Sequence, residues 1–179
     1  MHRDINPFNL MWTCEYAGRL IDLDLSSVSD EALHNPEDVP LTFSTPFLAL
    51  DLLKATTTQQ HLYRHDLESF YWSFLWIVLE HVRIKDTEFS LESWRKGAKE
   101  TRANSKQMLF KRSTRRRVFS KLSRKFPSHE PITDCLKKLT RLMAKAYKEL
   151  DTDSETDSDS DLDVGREEIS YEAFLSILA

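Results

Sequence analysis

The feature that most constrains the fold is a long apolar run between Leu67 and Val82. Eleven of its sixteen residues are apolar, and they fall on every face of a helix instead of forming one stripe. The run is also longer than the usual β-strand. A helix that is apolar all round must be surrounded by other elements. We therefore expect it to form the buried centre of a mainly helical domain.

Weaker patterns predict the elements around this helix. Residues 9–12 and 19–23 predict two short strands with a turn at Ala17-Gly18. Residues 28–46 contain three prolines and predict a loop, and residues 46–54 predict a short helix at their end. Residues 90–126 predict helix that is ended by Pro127 and Pro131, and residues 132–150 predict an amphipathic helix.

Charge is distributed unevenly along the second half of the chain. Residues 95–125 hold thirteen Lys and Arg against one acid, whereas residues 151–163 hold seven acids and no base. We interpret the basic stretch as a solvated helix face that could hold a weak anionic partner, and we do not expect nucleic acid to bind there. Residues 151–165 are predicted to be an acidic disordered segment. Residues 166–179 predict a short amphipathic helix that docks back or binds a partner.

Composition excludes several classes of protein. Three glycines in 179 residues exclude a dinucleotide fingerprint or a P-loop, and two cysteines cannot make a disulfide framework or a zinc site alone. His61 and His65 have the spacing of a zinc protease motif, but the glutamate that should follow the first histidine is Leu62. No segment resembles a signal peptide or a transmembrane helix. We therefore expect an intracellular location, in the cytoplasm or the nucleus.

The first residues carry a pattern that points to phosphoryl transfer. His2-Arg3-Asp4 is followed by Asn9, and Asp22 lies thirteen residues further on. This spacing resembles the catalytic loop of protein kinases and their Asp-Phe-Gly segment. Such chemistry needs a carboxylate near the substrate hydroxyl and oxygen ligands for Mg²⁺. Two departures are visible: Asn6 stands where a lysine is usual, and Asp24 replaces the glycine.

Two further motifs follow in the order expected for that family. Ser44-Thr45-Pro46-Phe47-Leu48-Ala49-Leu50-Asp51 resembles the segment that closes the kinase activation loop. His65-Asp66-Leu67-Glu68-Ser69-Phe70 resembles the start of the central helix of the kinase C-terminal lobe. The residues of both segments are similar to those of the fungal-type protein kinase family. Each motif alone has a simpler explanation, and Asp66 for example could be only a helix N-cap.

The resemblance implies a role for each matched residue. Asp4 would act as catalytic base, with Ser44 at the hydroxyl position that faces it. Asn9 and Asp22 would hold Mg²⁺ and, with it, ATP. Structural support would come from four residues: His2 and Arg3 in the loop, Asp51 as the carboxylate that fixes the closing segment, and Asp66 as the group that holds the loop backbone.

The resemblance also implies a C-terminal lobe, over residues 1–150, without the N-terminal lobe that grips ATP from above. We therefore expect kinase-type phosphoryl transfer to a protein Ser/Thr hydroxyl as the family activity, and little or no activity from this chain alone. Two alternatives stay open. The first is a fragment of a small-molecule kinase of the aminoglycoside or choline type, which Asp24 would fit. The second is a non-enzymatic pseudokinase or interaction module that binds a protein partner.

Overall fold

A computed structural model describes residues 1–15, 17–26, 46–56, 60–86, 89–147 and 169–178. The predicted mainly helical fold with a small β-hairpin is confirmed in this part of the chain. The elements follow in the order β1 (Leu10–Trp12), β2 (Gly18–Leu20), α1 (Leu50–Lys54), α2 (Tyr63–Val82), α3 (Leu91–Lys96), α4 (Lys99–Met108), α5 (Arg112–Lys125), α6 (Glu130–Ala146) and α7 (Tyr171–Leu178). Ser44 and residues 151–165 lie outside the described residues.

The two strands pair in antiparallel register, with Leu10 opposite Leu20 and Trp12 opposite Gly18. The predicted turn at Ala17-Gly18 is wrong by a few residues, because Gly18 already belongs to β2. The strands are joined at residues 13 and 17, where the Thr13 amide donates to the Ala17 carbonyl and the Ala17 amide donates to Thr13 Oγ1. The second strand also ends earlier than predicted, at Leu20.

Helix α2 is the centre of the fold, as the apolar run predicted. Tyr71, Trp72, Leu75 and Leu79 have no exposed surface. The helix is nevertheless open to solvent on one side, where Ile77 is 44% exposed. It begins four residues before Leu67, at Tyr63, and it ends where Arg83 takes a left-handed conformation with φ 53°. The apolar run therefore located the helix correctly but not its first turn.

The predicted helical stretch over residues 90–126 is divided into three helices. Gly97 ends α3, and its amide donates to the Ser93 carbonyl. A Cβ at this position would lie 2.3 Å from that carbonyl oxygen, so the chain approaches too closely for any larger residue. A second turn follows α4 and buries Leu109 and Phe110 completely. Both breaks let the stretch fold around Trp72 and Trp94, whose rings lie 5.1 Å apart.

The last two helices, α6 and α7, complete the core by packing against α2. Pro131 does not end a helix as expected, because it lies in the first turn of α6, where a missing amide proton costs nothing. From the middle of α6, Thr140 Oγ1 lies 2.8 Å from the hydroxyl of Tyr71. Helix α7 docks back on α2 through Phe174, whose ring lies 5.9 Å from that of Phe70. No helix in the described ranges is both long and apolar enough to cross a bilayer.

Candidate active site

The first three residues of the chain are held by a carboxylate of the central helix. Asp66 accepts hydrogen bonds from the backbone amides of His2, at 2.6 Å, and Arg3, at 3.0 Å. A third bond joins the same carboxylate to His61 Nε2 at 2.9 Å. Asp66 is only 5% exposed. Because Asp66 lies on the central helix α2, these bonds attach the chain that leads into the candidate loop to the core.

The position of Asp66 in α2 excludes the simpler N-cap interpretation. The residue before the helix is Leu62, so Asp66 lies inside the first turn. The cap amide of Leu62 donates instead to His65 Nδ1 at 3.0 Å. The Asp66 carboxylate is therefore directed to the loop and not to its own helix end. This is the contact that the resemblance implies for Asp66, while its importance for catalysis stays a prediction.

Burial by itself would raise the pKa of Asp66, but its partners reverse the effect. The hydrogen bond and charge of His61 lower the pKa, and the amides of His2 and Arg3 add to this. The pKa therefore lies below the usual value for an aspartate. Asp66 is a carboxylate at neutral pH, which is the form that accepts all three bonds.

Asp4 and Asn9 form the centre of the candidate site. The Asn9 side-chain amide donates to the Asp4 carbonyl at 2.9 Å and to Asp4 Oδ2 at 3.1 Å. Arg3, which precedes this pair, has a positive φ of 71°. A conformation that L-residues rarely adopt therefore turns the chain directly before Asp4, and the Asp66 contact at the Arg3 amide holds it there.

Asn6 holds the loop from inside. It is 2% exposed, and its Oδ1 accepts the amides of Phe8, at 2.8 Å, and Asn9, at 3.2 Å. Its Nδ2 donates to the Asp4 carbonyl at 3.2 Å. These bonds explain the departure from the lysine that is usual here. Asn6 stabilises the turn between Asp4 and Asn9, and it does not reach out as a cation.

The strand that leads to Asp22 joins the same loop through its neighbour Ile21. The Ile21 amide donates to the Asn9 carbonyl at 3.0 Å, and the His2 Nε2–H donates to the Ile21 carbonyl at 3.0 Å. Asp22 follows with a positive φ of 63° and an exposed side chain. The structure thus brings the segments of Asp4, Asn9 and Asp22 together, with Asp22 on the outer side.

The side-chain oxygens on these segments are of the type that a hard cation prefers. Asn9 donates hydrogen bonds to Asp4 through Nδ2. Its Oδ1 has no hydrogen-bond partner among the described residues. The Asp22 carboxylate is the second oxygen donor. Mg²⁺ commonly takes one or two protein oxygens and completes its shell with phosphates and water. Within the described ranges, no three His, Cys, Asp or Glu side chains converge as a metal site, and His61 packs edge-on against His65 at 5.3 Å.

The segment around α1 is tied to α2 by an ion pair. Asp51 Oδ2 lies 2.6 Å from Arg64 Nη2, and both side chains are about one quarter exposed. Asp51 therefore contacts the first turn of the helix that also carries Asp66. This geometry agrees with the supporting role that the resemblance implies for Asp51, which stays a prediction. Ser44 lies outside the described residues, so its distance to Asp4 is not defined.

Two buried ionisable side chains, which the sequence pattern did not predict, hold the backbone of the same segment. Glu68 Oε1 accepts the Leu50 amide at 2.8 Å, and Lys106 Nζ donates to the Leu48 carbonyl at 2.6 Å. Both side chains are fully buried. Burial raises the pKa of Glu68 and lowers that of Lys106 to about 7. Glu68 was detectable as a charge inside an apolar helix, whereas Lys106 is indistinguishable from its basic neighbours.

Exposed apolar side chains surround the candidate site on the hairpin side. Phe8 is 83% exposed and Trp12 is 78% exposed. The other members of this set are Met11, Leu20, Ile21 and Leu23, each at least 40% exposed. Large apolar side chains exposed in this number on and next to one short hairpin are typical of a surface that contacts another body. We call these six residues the hairpin patch.

A family match covers the whole candidate site. Residues 1–78 match the family described as fungal protein kinase, and this range includes every predicted site residue, from His2 to Asp66. It also contains the hairpin, α1 and most of α2. No curated protein and no solved structure matches the chain.

Proposed function

Because residues 1–78 are assigned to the fungal protein kinase family, we propose that they form the catalytic-loop side of a kinase C-terminal lobe. The reaction would transfer a phosphoryl group from ATP to a protein Ser/Thr hydroxyl. The observation that carries the proposal is the pair of hydrogen bonds from the His2 and Arg3 amides to Asp66. These bonds hold the loop that carries Asp4 and Asn9 against helix α2. Phosphoryl transfer depends mainly on such fixed positioning.

Each loop residue has a distinct role in this proposal. Asp4 accepts or orients the hydroxyl proton of the substrate, with its carboxylate held by Asn9 Nδ2. Asn9 Oδ1 and the Asp22 carboxylate would hold Mg²⁺. The bound cation would neutralise charge on the transferring phosphates. His2 keeps the Asp22 segment against the loop through the Ile21 carbonyl.

The hairpin patch supports the second half of the proposal, which is that this chain alone has little or no activity. Phe8 and Trp12 are almost fully exposed beside the site. A covering N-terminal lobe would bury such side chains and would supply the lysine and glycine-rich loop that clamp the phosphates. A chain that acts without these groups would lose most of the electrostatic stabilisation of the transition state.

The test is a transfer assay on the full chain with Mg·ATP and a Ser/Thr peptide library, with and without the N-terminal lobe of an active fungal protein kinase. We expect no turnover by the chain alone and measurable transfer with the added lobe. Asp4→Asn and Asp22→Asn should each reduce that transfer at least ~100-fold, which corresponds to about 2.7 kcal/mol. Asp24→Asn is the matched control and should keep activity within a few-fold.

Three outcomes would contradict parts of this proposal. Turnover by the chain alone at ordinary kinase rates, ~1–100 s⁻¹, would refute its inactivity. An equal loss in Asp24→Asn would favour a small-molecule kinase, whose pattern uses both aspartates. Failure to bind ATP, with or without Mg²⁺ and the added lobe, would favour a non-enzymatic interaction module.

A further inference from the structure

A basic pocket lies between α5 and α6, away from the candidate active site. It has a volume of about 340 Å³, and four cations line it: Arg115 and Arg116 from α5, and Lys137 and Arg141 from α6. The hydroxyls of Ser120 and Ser123 add neutral donors. The volume is that of a small ligand site. Guanidinium groups in such a setting recognise carboxylates and phosphates through paired hydrogen bonds.

Most other cations of the basic stretch are already used within the fold. Arg117 and Lys121 both pair with the carboxylate of Asp86, at 3.2 and 2.7 Å. Further contacts to carboxylates or carbonyl oxygens are made by Arg95, Lys96, Lys99, Arg102, Lys106 and Lys125. The basic stretch is therefore not one continuous anion-binding face. Two of its remaining cations, Arg115 and Arg116, lie at the pocket.

Two of the four pocket cations have partners within the fold. Lys137 contacts Asp134 at 2.8 Å, and Arg115 donates to the Phe110 carbonyl at 3.0 Å. The exposed side chains of Arg116 and Arg141 have no acidic partner within 4.0 Å among the described residues. These two guanidinium groups, from facing helices, give the pocket a local positive charge that an anionic ligand would satisfy.

We propose that the pocket binds the acid-rich segment 151–163 of this same chain. The segment carries seven carboxylates and no base, which complements the four cations. The first acid of the segment, Asp151, is four residues after Tyr147, and an extended chain of that length reaches up to ~13 Å. Arg141 is six residues before Tyr147, which is ~9 Å along a helix. The chain returns to the same body at α7, which packs on α2 and α6.

Because the acidic segment is joined to the pocket by a short linker, weak contacts are sufficient to hold it there. A ligand joined to its site by a short linker experiences an effective concentration in the millimolar range. Individual exposed ion pairs are weak, but several carboxylates in one basic pocket act together. The bound segment would neutralise the pocket and leave it unavailable to other anions. The proposal is independent of the kinase function proposed above, since it uses no residue of that site.

The test uses a fluorescent peptide of residues 150–164 and two forms of the full chain. In one form, all seven carboxylates of 151–163 are changed to their amides. We expect the peptide to bind this form at least ~10-fold more tightly than the wild-type chain, whose own segment competes in cis. Raising the salt concentration from 20 to 300 mM should weaken the binding strongly, because exposed charges are screened.

Matched charge variants in the amide form identify the site. Arg116→Gln/Arg141→Gln should reduce peptide affinity at least ~10-fold, whereas Lys96→Gln/Arg124→Gln, which removes the same charge from other exposed positions, should change it less than ~2-fold. All four side chains are exposed, so both variants should fold, as circular dichroism will show. Equal peptide binding by the wild-type and amide forms, equal losses in the two double variants, or no binding at low salt would each overturn the proposal.

Discussion

Asp66 determines the geometry of the candidate site more directly than any residue of the loop itself. Its carboxylate joins α2 to residues more than sixty positions earlier in the chain, through the amides of His2 and Arg3. Both bonds are made to a charged acceptor, which makes them stronger than ordinary backbone contacts. The attachment of the loop to α2, next to the positive φ of Arg3, therefore depends on one buried charge.

Asp66→Asn tests this dependence. An asparagine has one acceptor oxygen, and its amide group would face one of the backbone amides. We expect the free energy of unfolding to fall by about 2–4 kcal/mol, since hydrogen bonds to a charged group contribute ~1.5–3 kcal/mol each. Hydrogen exchange at the His2 and Arg3 amides should also accelerate. Urea unfolding and exchange measured on the full chain will show both effects.

Asp134→Asn is the control for the lost charge. This carboxylate pairs with Lys137 at 2.8 Å, but its side chain is 49% exposed. The expected loss of stability is much smaller than that of Asp66→Asn, because water and salt screen an exposed ion pair. If both variants lost the same stability, the Asp66 bonds would contribute no more than a surface ion pair, and the proposed support of the loop would be wrong.

The single residues also show what a sequence can and cannot reveal. The spacing of Asp4, Asn9 and Asp22 predicted a group of oxygen donors, because it matches a pattern of known chemistry. Glu68 and Lys106 form no such pattern, since they lie 38 residues apart. Both bind backbone groups of the same short segment, Glu68 at the Leu50 amide and Lys106 at the Leu48 carbonyl. Contacts of that kind depend on tertiary packing, which local periodicity does not record.

At the scale of elements, apolar periodicity located the helices but not their ends. The α2 run was identified because its length and composition exclude a strand. The division of residues 90–126 into α3, α4 and α5 was not predicted. Leu109 and Phe110 turn into the core between two helices, and a turn that serves packing leaves no proline or glycine signal. Gly97 was the one visible sign of a break.

Helix α7 provides a prediction about elements. Phe174 is 2% exposed and packs edge-on against Phe70 of α2, whereas Leu178 on the same helix is 42% exposed. Phe174→Ala should cost about 3 kcal/mol, the lower end of the range for deleting a buried phenylalanine. Because a terminal helix can detach locally, the effect should appear as rapid proteolysis and hydrogen exchange within α7 before global unfolding.

Leu178→Ala is the matched control on α7. It removes an apolar side chain from a position of the same helix that is 42% exposed, so the expected cost is smaller, below ~1 kcal/mol. Protection of α7 that is lost equally in both variants, or in neither, would show that Phe174 does not hold the helix on α2. The amphipathic pattern of residues 166–179 would then describe a surface without an internal partner.

At the scale of the whole molecule, buried ionisable groups couple the fold to pH. His65 lies in the first turn of α2, where its Nδ1 accepts the Leu62 amide and is therefore required in the neutral form. Burial, together with the charges of His61 and Arg64, lowers the pKa of His65 to about 4, and this is the net value after the opposing effect of Asp51 and Asp66. In an unfolded chain the same group titrates near ~6.5.

The sign of the effect follows from these two values. Between pH ~6.5 and about 4 the unfolded chain binds a proton at His65 that the folded chain does not bind. The stabilisation is complete above pH ~6.5 and is lost progressively as the pH falls, up to about 3 kcal/mol. Asp66 acts in the same direction at lower pH, because its pKa in the folded chain lies below the usual value.

The measurement is the free energy of unfolding in urea from pH 4 to pH 8, for the wild-type chain and for His65→Gln. Glutamine retains an oxygen that can accept the Leu62 amide but has no proton to bind. We expect a constant offset between the two chains above pH ~6.5, which reports altered packing, and a converging difference below it, because only the wild-type chain loses the His65 contribution. Parallel curves over the whole range would show that His65 titrates alike in both states, and the pH dependence would then have to come from other groups.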